Sequence, residues 1–302
     1  MTTRAPRVSI GVPVYNGEQY LATALFALVR QTFPDIEIII CDNASTDGTR
    51  LIAERFASSD PRVRYVRHDR NLGAAANFNS ALELARGQYF RWAAADDVSG
   101  VTSVERCVEV LDRDPGVVLA YPRSELIDAD GNRRETYDDR MHLPQHRPSD
   151  RFRVLLRTIR LCNPIFGLIR TADLRACRPL GGFCGSDIVL LSELSLRGRF
   201  HEVPEVLFSR RFHDGAASAM DPNLRMRHFD PAYQPRPSLR RWQLLGETLR
   251  NAGRAPIPVG ERMRAAGVVV RNGLMNRSEL ASELTRASRH YLKRRSRAPH
   301  PS

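Results

Sequence analysis

Two adjacent carboxylates, Asp96 and Asp97, close the apolar run Gln88-Tyr89-Phe90-Arg91-Trp92-Ala93-Ala94-Ala95. The run follows Ala85-Arg86-Gly87, a helix stop, and gives way to Val98-Ser99-Gly100 and a new helical pattern. It reads as a buried strand ending in two acids. In an open α/β sheet, ligands bind beyond the carboxyl ends of the strands. Paired carboxylates there are costly without a positive partner. A divalent cation carrying phosphates suits them, because Mg²⁺ and Mn²⁺ favour carboxylate and phosphate oxygen. The plainer alternative is a helix N-cap. Three further stretches combine polar chemistry with a strand end or a helix start. One is the loop Asp42-Asn43-Ala44-Ser45-Thr46-Asp47-Gly48-Thr49. Another is the glycine-rich entry Gly181-Gly182-Phe183-Cys184-Gly185-Ser186-Asp187, and the third is the cluster Arg210-Arg211-Phe212-His213.

The elements that must position these residues alternate regularly at first. Arg7 to Val14, Ile36 to Cys41, Val63 to Val66 and Tyr89 to Ala94 are short apolar runs, as strands buried on both faces are. Between them Glu18 to Arg30, Thr49 to Phe56 and Ala74 to Ala85 read as helices. Crossovers of this length require parallel pairing. The spacing predicts a helix over Val104 to Leu111 and a strand over Gly116 to Tyr121. A hairpin turn follows at Asp128-Ala129-Asp130-Gly131-Asn132. Arg140 to Asp150 reads as an irregular, mobile loop, a candidate lid. Arg151 to Ile159 is helical, and Ile165 to Ile169 returns to the sheet edge. Ile188 to Leu196 is a helix. Arg199 to Val203 and Val206 to Phe208 are two short strands around Pro204. Prolines 222, 231, 235 and 237 mark a linker or a wrapped segment, and three helices follow over Ser238 to Asn251, Arg262 to Met275 and Glu279 to Leu292.

Composition bounds the function. The 302 residues are 42% hydrophobic, enough for a sizeable core and unlike a disordered chain. The net charge is +12, concentrated late: Arg240 to Ser302 holds 14 basic and 4 acidic residues. A positive field suits nucleic acid, anionic lipid or a phosphate-rich substrate. No zinc-finger, homeodomain or RNA-binding signature accompanies it, so nucleic acid is not expected. Five irregularly spaced cysteines argue against a disulfide framework, and Cys41 reads as a core residue. No apolar run is long enough to span a bilayer and no signal peptide is evident. The expected location is the cytoplasm, with the inner membrane face in reach.

Five pieces in order carry a resemblance: Val8-Ser9-Ile10-Gly11-Val12-Pro13-Val14-Tyr15-Asn16-Gly17, Ile40 to Thr49, Asn71-Leu72-Gly73, Ala85-Arg86-Gly87-Gln88-Tyr89 and Ala95-Asp96-Asp97. Together they cover roughly residues 7 to 130. The chain resembles the family 2 glycosyltransferases, inverting GT-A enzymes that use nucleotide-diphosphate sugars. The resemblance implies an α/β fold with a mostly parallel, Rossmann-like sheet flanked by helices. It places Pro13, Val14, Tyr15 and Glu18 against the nucleotide. Asp42 is retained from the family's second loop. Asn43 stands where the family has the aspartate that contacts uracil, so a UDP-sugar is the first expectation and a dTDP-sugar the second. Phe78 replaces the family's arginine, while Asn79 keeps its asparagine. Asp97 is the implied ligand of Mn²⁺ or Mg²⁺, Asp96 holds ribose or the metal's water shell, and His213 resembles a third ligand. Arg210 and Arg211 would neutralise phosphate oxygens. Asp187 matches the family's general base, with Ser186 replacing the usual first acid. Its competing reading is the cap of the next helix, and Asp173 and Glu193 are the other candidates. Phe183 and Trp92 could stack on sugar rings, although Trp92 reads better as core.

The implied organisation is a GT-A domain over residues 1–220, divided into a nucleotide half (1–100) and an acceptor half (101–220), followed by a linker and basic helical extension over 221–302. The implied reaction is inverting transfer of one sugar to a hydroxyl of a glycan, a lipid-linked saccharide or a small molecule. A non-catalytic nucleotide-sugar scaffold of a polysaccharide assembly is the alternative. A sugar nucleotidyltransferase would need a basic triphosphate loop, which Pro13-Val14-Tyr15-Asn16-Gly17 is not. No Gly-x-Gly-x-x-Gly follows the first strand, against a dinucleotide oxidoreductase. The basic helices could serve oligomerisation or peripheral membrane contact. Without an obvious uniform apolar face, they are expected to pack within the protein or on a partner.

Overall fold

The computed structural model describes residues 5–216, 219–234 and 238–295. Its first half alternates as the hydrophobic runs require. The order is β1 (Val8–Val14), α1 (Leu21–Val29), β2 (Ile36–Asp42), α2 (Thr49–Ser59), β3 (Val63–Arg67), α3 (Ala74–Glu83) and β4 (Tyr89–Trp92). Every residue of β1, β2 and β4 is buried. All pairings among these strands are parallel, with Val8 opposite both Ile36 and Tyr89. Helices cover both faces of the sheet. Leu21, Leu25 and Leu28 of α1 pack with Ile10, Val12 and Ile38, while Ala81 of α3 packs with Ile39, Phe90 and Trp92 on the other side.

The second half continues with β5 (Val98–Ser99), α4 (Ser103–Arg113), β6 (Val117–Ile127), β7 (Arg133–Tyr137), α5 (Pro148–Thr158), β8 (Leu168–Arg170), α6 (Thr171–Arg175), α7 (Ser186–Arg197) and β9 (Arg199–Arg211). The sheet runs β3-β2-β1-β4-β8-β6-β9-β5, with β7 paired to β6. Two expectations need correction here. The Ile165–Ile169 region does not lie at the sheet edge. Its strand, β8, sits inside the sheet, antiparallel to both β4 and β6. The two short strands around Pro204 are one strand, β9, parallel to β6. Register shifts near Pro122 and Arg123 absorb the interruption. A bulge tolerates a proline, because the extra residue leaves the ladder without needing an N–H donor.

The Arg140–Asp150 lid is also corrected. Met141 and Leu143 are buried, and Leu143 bridges to Phe200. The Arg151 guanidinium donates to the carbonyls of Gln145, His146, Ser195 and Leu196, fastening the segment to α7.

The late helices are α8 (Pro222–Phe229), α9 (Arg240–Arg254), α10 (Val259–Met275) and α11 (Arg277–Arg295). α8 arises where the prolines suggested a linker; Pro235 and Pro237 lie outside the described residues. The Asp221 carboxylate accepts the Asn223 and Leu224 N–H groups, and proline occupies the first helical position, where no N–H is needed. α9 and α10 pack on α5 and α7 through Phe152, Leu196, Ala252, Ala265 and Val269. Asn251 donates to Val189 O and Ser192 Oγ, adding a polar pin to that contact.

Candidate active site at the carboxyl ends of the strands

Two adjoining cavities open at the carboxyl ends of β1 and β4. The first, about 360 Å³, is lined by Pro13, Val14, Tyr15, Asn43, Asn71, Ala74, Asn77, Phe78, Met220, Leu224, Arg227 and His228. The second, about 350 Å³, shares Pro13, Val14, Tyr15, Phe78 and His228. It adds Tyr20, Asp96, Asp97, Phe166, Arg210, Arg211 and His213. The first is mostly apolar, with amide groups and Arg227, and the second carries the two carboxylates.

The loops after β1 and β2 are held together by their short polar side chains. Asn16 accepts from Thr46 N and its own N–H donates to Ser45 Oγ. Gly17 N donates to Thr49 Oγ1. The Glu18 carboxylate accepts from Gly48 N at 2.6 Å, and Asp47 accepts from Glu18 N. Asp42 is fully buried, accepting from Ser45 N, Tyr65 OH and the Arg67 guanidinium. Asn79 makes a two-way amide contact with Leu180 N and O at 2.9 Å. Glu18, Asp42 and Asn79 were expected on the nucleotide. Their side chains instead meet protein groups, and none lines either cavity.

Asn43 does line the first cavity, with Oδ1 accepting from Leu72 N and Nδ2 donating to Asn71 Oδ1. Asn77, two residues before Asn79, was missed by sequence reasoning. It is 2% exposed and donates through Nδ2 to Val14 O and Cys41 O. Both amide hydrogens are therefore turned to the sheet. Its Oδ1 is buried with no hydrogen-bond partner among the described residues. Such an acceptor is costly to leave unpaired.

In the charged chamber, Asp97 is 8% exposed, and its carboxyl is pushed well above the usual carboxylate range. Burial is the larger cause and the neighbouring Asp96 charge the next. Its Oδ1 accepts the Arg211 N–H at 2.8 Å. Asp96 Oδ2 lies 3.0 Å from His213 Nε2, and the His213 ring sits 4.7 Å from Tyr20. The end of β9 thereby closes the chamber over the end of β4.

The two arginines divide. Successive side chains of a strand point opposite ways. Arg210 donates to Leu161 O and Asn163 Oδ1 along the wall of the second cavity. Arg211 is largely buried as a brace. Its guanidinium lies 4.6 Å from the Tyr20 ring and donates to the carbonyls of Asp96, Asp128 and Ala129. It fixes the aspartate loop to the β6–β7 turn, and its bonds leave it little freedom to reach a phosphate.

Asp187 lies in the first turn of α7, which begins at Ser186 after Gly185, whose φ is +102°. It is inside the helix rather than its cap. It lines neither cavity. It is coupled to the buried Cys162, whose thiol is driven up by burial first and by Asp187 next. Cys162 lies between Leu161 and Asn163, the two residues that hold Arg210, so Asp187, half-exposed, stands beside the segment that anchors that arginine. Glu193 is buried and ion-paired to Arg197 and Arg178, which removes it as a base candidate. Trp92 is core, its indole donating to Phe78 O.

The α8 residues Leu224, Arg227 and His228 were also missed. The Asp221-Pro222 start signal could have found them. Burial holds the His228 imidazole below its ordinary range, while the Asp96 charge pulls the other way. Gly73, with φ +87°, lets α8 lie against the start of α3. A Cβ there would stand 2.4 Å from Phe229 O.

Asp96, Asp97 and His213 face one chamber, and Asp97 is shifted upward by burial and by Asp96 even though the Arg210 and Arg211 charges pull it down. Among the described residues, no three His, Cys, Asp or Glu side chains form a ready metal cage. The set fits a cation whose remaining ligands come from a phosphate-bearing substrate and water, the usual manner of Mg²⁺ binding.

Residues 9–177 match the model of glycosyl transferase family 2. A chondroitin synthase of Escherichia coli is 34% identical over 129 residues, which are 43% of this chain and 19% of that one. The matched segments span 13% to 56% of the curated relatives. Among solved structures, Staphylococcus aureus TarS 1-349 in complex with UDP-GlcNAc superposes with a TM-score of 0.66 at 16% identity, over 89% of this chain and 73% of that one. The mannosyltransferase PcManGT of Pyrobaculum calidifontis, in complex with GDP-Man and Mn²⁺, gives 0.54 at 18% identity, over 96% and 81%. The parallel β1–β4 half, the mixed second half and the carboxylates at their junction have the GT-A arrangement, and the chain belongs to glycosyl transferase family 2.

Proposed function

We propose that this protein is an inverting, metal-assisted glycosyltransferase. It transfers one sugar from a nucleotide-diphosphate sugar to a hydroxyl of a glycan, a lipid-linked saccharide or a small-molecule acceptor, at the cytoplasmic side of the cell. A role in polysaccharide or cell-wall synthesis suits its relatives. The observation that carries the reading is the buried Asp97 beside Asp96, two carboxylates in one chamber that adjoins a nucleoside-sized, mostly apolar cavity. The complexes of the two structural neighbours with UDP-GlcNAc and GDP-Man support a nucleotide-sugar donor.

The first cavity takes the nucleoside, between Tyr15, Phe78 and the α8 side chains. UDP is the first choice of base and dTDP the second. Asp97 would hold Mn²⁺ or Mg²⁺, with His213 as a second ligand or orienting Asp96, and Asp96 would hold ribose or the metal's water shell. When bound, the cation supplies Lewis-acid neutralisation of the leaving diphosphate. Arg210, held by Leu161 and Asn163, adds a fixed positive charge. Arg211 acts through position, keeping the Asp96–Asp97 backbone in place. Asp187 takes the proton of the attacking hydroxyl as general base. The hydroxyl oxygen then bonds to the sugar carbon as the bond to the diphosphate oxygen breaks, on the opposite face, inverting the centre.

The test is donor calorimetry with UDP-, dTDP- and GDP-sugars, with and without Mn²⁺, on wild type and Asp97→Ala. Metal-dependent binding of one nucleotide, lost in the variant, is expected. A folded protein that binds no nucleotide sugar would sink the reading and favour the scaffold alternative.

A further inference from the structure

The outward face of α10 carries a feature that the donor site does not use. Ala265 and Val269 point into the protein, packed against Phe152 and Leu196. Opposite them, Val259, Met263, Val270 and Leu274 are 68%, 71%, 54% and 61% exposed. They are spaced by four, seven and four residues, so they form one stripe along a helix of 3.6 residues per turn. The expectation that these helices lack an apolar face is thereby corrected.

The charge around the stripe has one sign. From Arg240 onward the chain has four acids, Glu247, Glu261, Glu279 and Glu283. All four are engaged within the protein. Glu247 pairs with Arg178 and Arg250, and Glu261 with Ser149 N and Arg264. Glu279 and Glu283 both meet Arg241. Arg271, one residue from Val270, and Arg277 make no hydrogen bond or ion pair with the described residues. The exposed side therefore presents apolar side chains beside unneutralised arginines.

We infer that this face of α10 docks on an anionic lipid bilayer, lying in the headgroup region with its stripe turned toward the acyl chains. Such a surface matches both halves of the pattern: acyl chains take Val259, Met263, Val270 and Leu274, and anionic headgroups take Arg271 and Arg277. A second copy is the poorer occupant. A two-fold pairing would set arginine against arginine, with every nearby acid already engaged. Nucleic acid would match the charge and leave the stripe in water. No helix among the described residues is long and apolar enough to cross a membrane, so the contact is peripheral.

The test is flotation of the full chain with vesicles of phosphatidylcholine alone and of phosphatidylcholine with a third phosphatidylglycerol. It runs beside light scattering and a duplex-DNA binding assay. Binding is expected only to the anionic vesicles and should fall with added salt. Met263→Glu with Val270→Glu should weaken it at least about tenfold, and Arg271→Gln about fivefold. Both sites are exposed, so the variants should melt and bind nucleotide as wild type does, which separates this outcome from any failure of the transferase reading. Three results would overturn the inference. One is no vesicle binding by wild type. Another is a dimer that Met263→Glu with Val270→Glu dissolves. The third is DNA binding as tight as vesicle binding and indifferent to those two changes.

Discussion

Asp139 offers a stability measurement that probes the wall behind the charged chamber. It is 5% exposed, accepts from Ser124 Oγ at 2.9 Å and from Asn163 Nδ2 at 3.3 Å, and through Asn163 is linked to Arg210. Burial pushes its carboxyl from 3.8 up to about 6, against the pull of those hydrogen bonds and of the Arg210 charge. Between these values the native state keeps a proton that the unfolded chain has lost. Stability therefore falls as pH rises from about 4 to about 6, and the full penalty stands above 6. About two units correspond to about 3 kcal/mol. Asp139→Asn removes the charge and keeps one oxygen for the two donors that already share Oδ2, but puts an amide N–H₂ in place of Oδ1, a loss of about 1 kcal/mol. The variant should be more stable by about 1–2 kcal/mol at pH 7.5, about equal at pH 4.5 and less stable by about 1 kcal/mol at pH 3.5, with equal m-values in urea. The crossing of the two curves is the diagnostic. Curves that run parallel from pH 4.5 to 7.5 would show that Asp139 titrates normally, and the argument from burial would fail. Donor affinity should stay within about threefold, since the amide of Asn163 still holds Arg210.

Three other outcomes are expected. Asp187→Asn should lower turnover by about 10²–10⁴ while leaving donor affinity nearly unchanged; turnover within tenfold of wild type would remove Asp187 as the base. Asn77→Leu should weaken nucleotide binding by about tenfold, because the Asn77 amide holds Val14 O and Cys41 O in the wall of the first cavity; unchanged nucleotide affinity would refute that role. Phe152→Ala, at the centre of the α5–α7–α9–α10 contact, should cost about 3–5 kcal/mol; a loss under about 1 kcal/mol in urea would mean that the late helices contribute little to the fold.

The first half of the chain was legible because its signals are local. An apolar run as long as β2 has one use when Thr49–Ser59 must cross back to a parallel neighbour, and Asp96–Asp97 at the end of such a run is placed by topology alone. What the sequence left unread has a physical cause: direction. Asn77 and Asn79 are two residues apart on α3, where facing partners are three or four apart, so one points to the cavity and the other to Leu180. Composition gave no reason to choose between them. Glu18 and Asp42 are polar at a strand end, as ligand-binding residues are, yet the loops needed them first to satisfy Gly48 N and Ser45 N. Arg211 beside His213 reads as a phosphate ligand until its carbonyl partners are seen. The α8 start at Asp221-Pro222 was readable and was outweighed by the prolines that follow it.

The chamber depends on parts of the chain with different kinds of support. The family match ends at residue 177, so it contains Asp96 and Asp97 and omits Arg210, Arg211, His213 and all of α8. Those later residues reach the aspartates only because β9 runs parallel to β6 across its register shifts and ends level with the loop after β4. Side chains alternate along a strand, so a one-residue slip of β9 would turn Arg211 away from Tyr20 and leave Asp97 without its backbone donor. The bulge near Pro204 is thus part of the site's construction. It sets how far β9 extends, and so which residue meets Asp97. A deletion within 203–206 should leave β1–β4 folded around their own core and still separate the two halves of the charged chamber.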